Sequence, residues 1–140
     1  GPAGTTIASL KQQGVMPLDN ASLSEMIVGK NTWLKNIVTG SVFRIVWDKN
    51  GQRTVWNINP ADDQPQHMGF AAQDSFQGLS TAYSITGSNV VEDFGDSPIS
   101  WTAYKVGEKT LLARSDEFGF VNYEVIPVPS AMLAASDTAH

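Results

Sequence analysis

Residues Ser41 to Asn59 read SVFRIVWDKNGQRTVWNIN, and this stretch decides the fold because both of its halves have the composition of a strand. β-Branched and aromatic side chains dominate each half, and such side chains fit a pleated, half-buried surface. Between the halves, Gly51 supplies the left-handed backbone conformation that a short hairpin loop requires. The stretch therefore predicts a β-hairpin, built on Val42, Phe43, Ile45, Val46, Trp47, Val55, Trp56 and Ile58.

The two faces of the first hairpin strand differ, since alternate side chains of a strand point to opposite sides. One face carries Phe43 and Trp47, and the other carries Arg44 between two valines. Both faces are partly apolar, as in a barrel whose interior and exterior are each covered. If Arg44 points inward, it needs a carboxylate or an anionic ligand; if it points outward, it can lie on a ring such as Trp56. We favour the outward, structural arrangement.

Further strand patterns flank the hairpin, and turn residues separate them at the spacing of about 8 to 12 residues that is typical of all-β barrels and sandwiches. Strands joined by such short turns are antiparallel. The prediction is a single antiparallel β-barrel of about eight or nine strands, with a β-sandwich as the alternative. The additional strands are residues 32–37, 67–72, 78–86, 89–94, 99–106, 110–115 and 118–126.

The N-terminal third contains one clear helix signal. Ser22 and Glu25 match a capping box, which predicts a helix over residues 23–28 whose apolar face would plug one end of the sheet. Residues 3–14 allow one helical turn and predict a loosely held arm. The resulting domain organisation is an arm over residues 1–16, one barrel domain over 17–129 and a small-residue tail over 130–140.

Composition excludes several classes of function. The net charge is −5 with nine basic residues, so a nucleic-acid partner is not expected. The absence of cysteine excludes disulfides, thiolate nucleophiles and cysteine-ligated metals. No apolar run reaches the length of about 18 residues that spans a bilayer. Gly1-Pro2 is typical of a cleaved fusion tag, so we expect a longer natural chain that is exported, either to a periplasm or out of the cell.

Metal and cofactor chemistry is also not expected. The two histidines, His67 and His140, do not suffice for a multi-histidine site, and we interpret His67 as a surface residue. The acidic groups around Asp62, Glu92 and Asp116 are interpreted as solvated turn acids, because such residues bond to turn backbone without a metal.

A resemblance carries the argument from fold to function. The segments Gly29-Lys30-Asn31-Thr32-Trp33 and Thr39-Gly40-Ser41-Val42-Phe43-Arg44-Ile45, followed by the hairpin that ends in Gly51, resemble the opening of small secreted calycin-type barrels, the group that includes lipocalins. Gly29 and Trp33 are four positions apart, which departs from the Gly-x-Trp signature of lipocalins. The resemblance implies an apolar cup that binds a small ligand.

Aromatic side chains are the best candidates for lining such a cup, and an arginine beside a tyrosine would form its polar end. The favoured function is non-catalytic binding of a small apolar or aromatic ligand. Two alternatives stay open: a protein-interaction or assembly module with a solid core, including a homo-oligomer, and a cofactor-free cyclase or isomerase. The candidate ligand-binding residues are Trp33, Phe43, Trp47, Tyr83, Trp101, Tyr104, Arg114 and Tyr123.

Overall fold

The computed structural model describes residues 5–58, 79–93, 98–114 and 121–128. Within them, eight strands follow one another around a closed antiparallel barrel, and the last strand pairs with the first. This closure confirms the predicted barrel and excludes the sandwich. The elements are α1 (Ile7–Gln12), α2 (Asn20–Ile27), β1 (Asn31–Asn36), β2 (Val42–Trp47), β3 (Gln52–Ile58), β4 (Leu79–Thr86), β5 (Asn89–Asp93), β6 (Ile99–Val106), β7 (Lys109–Arg114) and β8 (Val121–Ile126).

The predicted hairpin is formed by β2 and β3. Trp47 pairs with Arg53 at its closed end, and the backbone N–H of Asp48 donates to the Gln52 carbonyl over 2.8 Å. Gly51 has a φ of +89°, the conformation that the sequence predicted for it. The other predicted strands agree with β1 and β4 to β8 to within three residues at each end. The strand predicted over 67–72 lies outside the described residues.

Helix α2 closes one end of the barrel, as its apolar face predicts. Leu23 and Ile27 are fully buried in the main core inside the barrel. The side-chain amide of Asn20 donates to two carbonyls at the end of β4, those of Ile85 and Gly87, at 3.4 and 3.3 Å. The helix begins earlier than predicted because Asp19, not Ser22, is its N-cap and accepts the Ser22 N–H at 2.9 Å.

The N-terminal arm is more ordered than the sequence predicted. Helix α1 begins at a capping box in which Thr6 and Ser9 each accept the other's backbone N–H at 3.0 Å. Its buried Leu10 packs against Tyr104 and Val121 on the outside of the barrel. The arm is held because this outer surface is itself apolar, a feature that appears only once β6 to β8 are paired.

Strand pairing defines an inner and an outer face for every strand, and strand direction defines two ends. The helix end contains α2, the β2–β3 hairpin and the turns after β4 and β6. The loop end contains the β1–β2 turn, the C-terminal ends of β3, β5 and β7, and the N-terminal ends of β4, β6 and β8.

Across the described ranges, neither α1 nor α2 nor any other helical segment combines the length and the apolar character that crossing a membrane requires.

Candidate functional site inside the barrel

The structure separates the eight predicted ligand-binding residues into two groups. Trp33 and Tyr104 lie on the outer face, where Trp33 pairs with Arg44 across β1 and β2 and Tyr104 packs in the cluster under α1. They do not share a face with the other six residues, and a role for either in ligand binding stays a prediction. The other six share the inner face: Phe43, Trp47, Tyr83, Trp101, Arg114 and Tyr123.

Three of the five aromatic rings in this group form one cluster. The Trp47 ring is 5.0 Å from Tyr83 in an edge-on arrangement and 5.9 Å from Trp101, measured between ring centroids. The Trp47 indole N–H donates to the hydroxyl of Thr32 at 2.9 Å, so its one polar atom is satisfied inside the barrel. Trp47 is only 1% exposed. This cluster therefore belongs to the packed core.

A buried ion pair crosses the barrel beside this cluster. The Arg53 Nε–H donates to Oε2 of Glu92, and the Trp101 indole N–H donates to Oε1 of the same carboxylate at 3.0 Å. Arg53 and Glu92 are both buried. The interpretation of Glu92 as a solvated turn acid is therefore wrong, because its strand alternation turns the side chain inward.

Sequence reasoning missed both members of this pair, although a signal was present. Arg53 follows the hairpin loop directly and pairs with Trp47 across β2 and β3. Cross-strand partners point to the same face. The placement of Trp47 inside the barrel therefore also places Arg53 inside, and a buried guanidinium requires a buried carboxylate. Within β5, Glu92 has the parity of the fully buried Val90.

At the helix end, one tyrosine has a shifted pKa. Burial, together with the nearby negative charge of Asp48, raises the pKa of Tyr83 above its ordinary value. The Tyr83 hydroxyl donates to the Asp48 backbone carbonyl at 2.6 Å, which requires the protonated form. Tyr83 is thus a structural donor that holds the β2–β3 loop.

From the middle of the barrel to the loop end, the inner-face side chains become more exposed on most strands, while Ile85 and Val125 at the helix end are also half-buried. Along β6, Ala103 is 0% exposed, Trp101 is 7% exposed and Ile99 is half-buried. Along β7, Leu112 is 2% exposed and Arg114 is half-buried. The same trend holds on β1, β2, β3 and β5. The half-buried inner-face residues toward the loop end are Asn36, Phe43, Val55, Thr81, Ile99, Arg114 and Tyr123.

Two aromatic rings meet at the loop end. Phe43 and Tyr123 stand on either side of β1, and their centroids are 6.1 Å apart with an interplanar angle of 74°. An edge-on pair of this kind is favourable by itself and also presents ring surface to its surroundings. Both rings are half-buried.

Arg44 lies on the outer face, as expected if it has a structural role against the Trp56 ring. Its guanidinium lies over the Trp56 ring, 5.0 Å from the centroid, and both residues are half-buried. The outward arrangement is confirmed. Arg44 therefore does not contribute charge to the interior.

The described residues contain no group of three or more histidine or acidic side chains placed to hold a metal ion. His67, His140, Asp62 and Asp116 lie outside the described residues.

Comparisons with protein-family models, with curated proteins and with solved structures give no significant match. The closed eight-stranded antiparallel barrel with a short helix is compatible with a calycin-type barrel.

Proposed function

We propose that the protein is a non-catalytic binding protein of calycin type that holds a small apolar or aromatic ligand at the loop end of its barrel. The observation that carries this proposal is a group of half-buried apolar side chains on the inner face at the loop end, which lies beyond a fully buried centre: Phe43, Val55, Ile99 and Tyr123. Ligand sites in barrels are found at such mouths, lined by apolar side chains with few polar groups.

The composition of the loop end favours an apolar or aromatic ligand. Phe43 and Tyr123 offer ring surface, and Val55 and Ile99 offer aliphatic surface. Covering apolar surface is favourable by roughly 25 cal/mol for each Å² removed from water. A small ligand seated among these four side chains would remove such surface at little cost in polar desolvation.

The hydrogen bonds of Glu92 and Tyr83 favour a binding function over a catalytic one. A cyclase or isomerase needs an acid or base that exchanges protons with substrate. Glu92, the carboxylate that the described residues place on the inner face, accepts hydrogen bonds on both oxygens. Tyr83 is committed to the Asp48 carbonyl. Both groups therefore have structural partners in place of a substrate.

A fluorescence titration with the neutral aromatic probe N-phenyl-1-naphthylamine tests the proposal. The unsubstituted protein should bind the probe, and Phe43→Ala should weaken binding about tenfold because a ring that contacts the probe is lost. Trp56→Ala is the matched control, since it removes a half-buried ring from the outer face. Absence of probe binding, or equal losses in the two variants, would contradict the proposal. Native mass spectrometry of the purified protein should also detect a co-purified small molecule.

A second candidate function is protein association through the outer face of β1 to β3. The half-buried Arg44 and Trp56 are cross-strand partners there, and Trp33, the partner of Arg44 on its other side, is 8% exposed. Tryptophan and arginine are the side chains that contribute most often to protein interfaces. Analytical ultracentrifugation tests this candidate: a dimer that dissociates in Trp56→Ala would support it, whereas a concentration-independent monomer would argue against self-association.

A further inference from the structure

The turn of the β2–β3 hairpin contains the dipeptide Asn50-Gly51, the one place in the chain where a glycine directly follows an asparagine. Asn50 is exposed, so water and hydroxide reach its side chain. Its amide oxygen Oδ1 accepts the backbone N–H of Gln52 at 3.2 Å. A bond of this kind to the residue two positions on holds an asparagine side chain against the turn backbone. The Asn50 amide is therefore kept close to the backbone of the residue that follows it.

The Gly51 backbone nitrogen is the nucleophile that this amide can meet. If it bonds to the side-chain carbon Cγ of Asn50, the two residues close a succinimide ring, and reacting groups within one molecule need little further ordering. Glycine has no side chain to crowd its nitrogen. The Gly51 N–H donates to the Asp48 carbonyl at 3.2 Å, which is long for such a bond, so its loss costs little free energy.

The N–H of Gln52 lies on the atom where negative charge develops. When a nitrogen attacks Cγ, an electron pair moves onto Oδ1, and a donor that is already bound to this oxygen stabilises the charge. The donor belongs to the same turn, so it is in place before the reaction begins. The hairpin thus supplies the electrophile, the nucleophile and the oxyanion donor from consecutive residues, Asn50 to Gln52.

Another asparagine has the same side-chain arrangement and differs in the residue that follows. The Oδ1 of Asn36 accepts the N–H of Val38, two positions on, at 2.9 Å. The next residue is Ile37, whose β-branched side chain crowds its nitrogen. The Ile37 N–H also donates to the Asn122 carbonyl at 2.8 Å. Of these two sites, the oxygen is supported at both, whereas the nitrogen is uncrowded at Gly51.

We infer that Asn50 is a modification site, at which the folded protein converts this asparagine to aspartate and isoaspartate without an enzyme. Hydroxide removes the proton of the Gly51 nitrogen, which bonds to Cγ of Asn50, and the side-chain nitrogen takes a proton from water and leaves as ammonia. Water then opens the succinimide. Cleavage between nitrogen and Cγ gives aspartate, and cleavage between nitrogen and the Asn50 carbonyl carbon gives isoaspartate. The net reaction consumes one water and releases one ammonia, and it does not depend on the proposed function.

The modification should weaken the contact between the hairpin turn and β4. In isoaspartate the main chain runs through the side-chain carbon, so the turn becomes longer by one methylene. Tyr83 holds this turn twice, because its N–H donates to the Gly51 carbonyl at 2.9 Å and its hydroxyl donates to the Asp48 carbonyl at 2.6 Å. A longer turn displaces one of these carbonyls relative to the other, and hydrogen bonds weaken steeply when their geometry changes. We expect the isoaspartate form to be the less stable of the two products.

Peptide mapping by mass spectrometry, after incubation of the unsubstituted protein in water enriched in a heavy oxygen isotope, tests the inference. The peptide that contains Asn50 should take up the label at least about tenfold faster than the peptide that contains Asn36. Its rate should rise with pH, because the Gly51 nitrogen must lose a proton. Electron-transfer fragmentation should find isoaspartate in place of Asn50. Equal rates at the two asparagines, or no label at Asn50, would overturn the inference.

A second comparison shows whether the reaction belongs to the folded protein. The rate at Asn50 in buffer should be no more than about tenfold below the rate in urea, where the chain is unfolded. A rate in buffer that falls in proportion to the small unfolded fraction would assign the reaction to the unfolded chain and overturn the inference. Asn50→Gln is the negative control and should lose the label at this residue, since glutamine would have to close a larger ring.

The effect on stability is measured separately. Asn50→Asp has the charge of the modified protein and an unaltered main chain, so it is the matched control for isoaspartate. Protein aged at alkaline pH and separated by ion exchange should unfold at a lower urea concentration than Asn50→Asp. Treatment with an isoaspartate-repairing methyltransferase should reverse part of this loss. If the aged protein and Asn50→Asp unfold together, the modified turn keeps its bonds to Tyr83 and the expected loss of stability is wrong.

Discussion

The helix end and the loop end of this barrel are built from the same eight strands but are organised differently. At the helix end, α2 inserts Leu23 and Ile27 into a core in which Trp47, Val90 and Ala103 have almost no contact with solvent. At the loop end, inner-face side chains such as Phe43 and Ile99 remain half-buried. The comparison indicates that the interior is packed most tightly around α2, whereas the loop end is where we propose that a ligand binds.

The largest expected effect concerns the Arg53–Glu92–Trp101 network, which lies between the two ends. Glu92→Leu should destabilise the protein by about 3 to 5 kcal/mol, because it leaves the Arg53 guanidinium buried without this carboxylate. Urea unfolding followed by circular dichroism measures the loss. Glu124→Leu, on the outer face of β8, is the matched control and should cost less than about 1 kcal/mol.

The same network tests whether the two ends form one cooperative unit. Far-UV circular dichroism and tryptophan fluorescence should give coincident unfolding curves for the unsubstituted protein, as expected for a single domain. Adding Arg53→Met to Glu92→Leu should restore part of the lost stability, because the buried guanidinium that lost its carboxylate is then removed as well. A double variant less stable than Glu92→Leu would show that the contribution of Arg53 does not depend on this carboxylate.

A smaller loss of stability should distinguish the helix end from the loop end when one isoleucine is replaced by alanine at each end. Ile27→Ala should cost about 3 kcal/mol, since it opens a cavity in a fully buried layer. Ile99→Ala should cost about 1 kcal/mol, since the side chain is already half-buried and its surroundings can relax. Chemical denaturation of both variants provides the measurement. Equal losses would show that the loop end is packed as tightly as the helix end.

The smallest effect is a pH dependence confined to the helix end. The pKa of Tyr83 is raised in the folded state, so the folded protein binds its proton more tightly than the unfolded chain does. The stabilisation is complete below pH about 10 and is lost as the pH rises through the folded pKa. The difference in stability between the unsubstituted protein and Tyr83→Phe should therefore shrink above pH 10. A constant difference would show that the Tyr83 proton is not linked to folding.

The strands could be predicted from the sequence because their signals are local. Alternating apolar residues and turn glycines are enough to predict the β2–β3 hairpin and the order of most later strands. Which face of a strand points inward depends on pairing across the barrel, so the side-chain period alone did not exclude Trp33 and Tyr104 from the site. The packing of α1 was not predictable for the same reason, since its partner surface exists only after β6, β7 and β8 have assembled.

The loop end was predicted only in part. Phe43, Arg114 and Tyr123 were recognised from residue type, and strand pairing places them on one inner face. The Arg53–Glu92 pair was missed because two charges far apart in the chain give no local signal of their proximity. Arg53 pairs with Trp47 across β2 and β3, so an inward-pointing Trp47 would also have placed the Arg53 side chain inside the barrel.

The pairing of β1 with β8 has a consequence for how the chain folds. Trp33 is the partner of Ile126, so the barrel cannot close until nearly the whole described chain has been synthesised. Contacts between such distant residues form slowly, because a long loop of chain must be ordered first. Until then, β1 and the strand most recently formed are unpaired edges that can recruit strands from other molecules. A nascent or truncated chain that lacks β8 should therefore be prone to aggregation and depend on chaperones, whereas the closed protein has no free strand edge among its described residues.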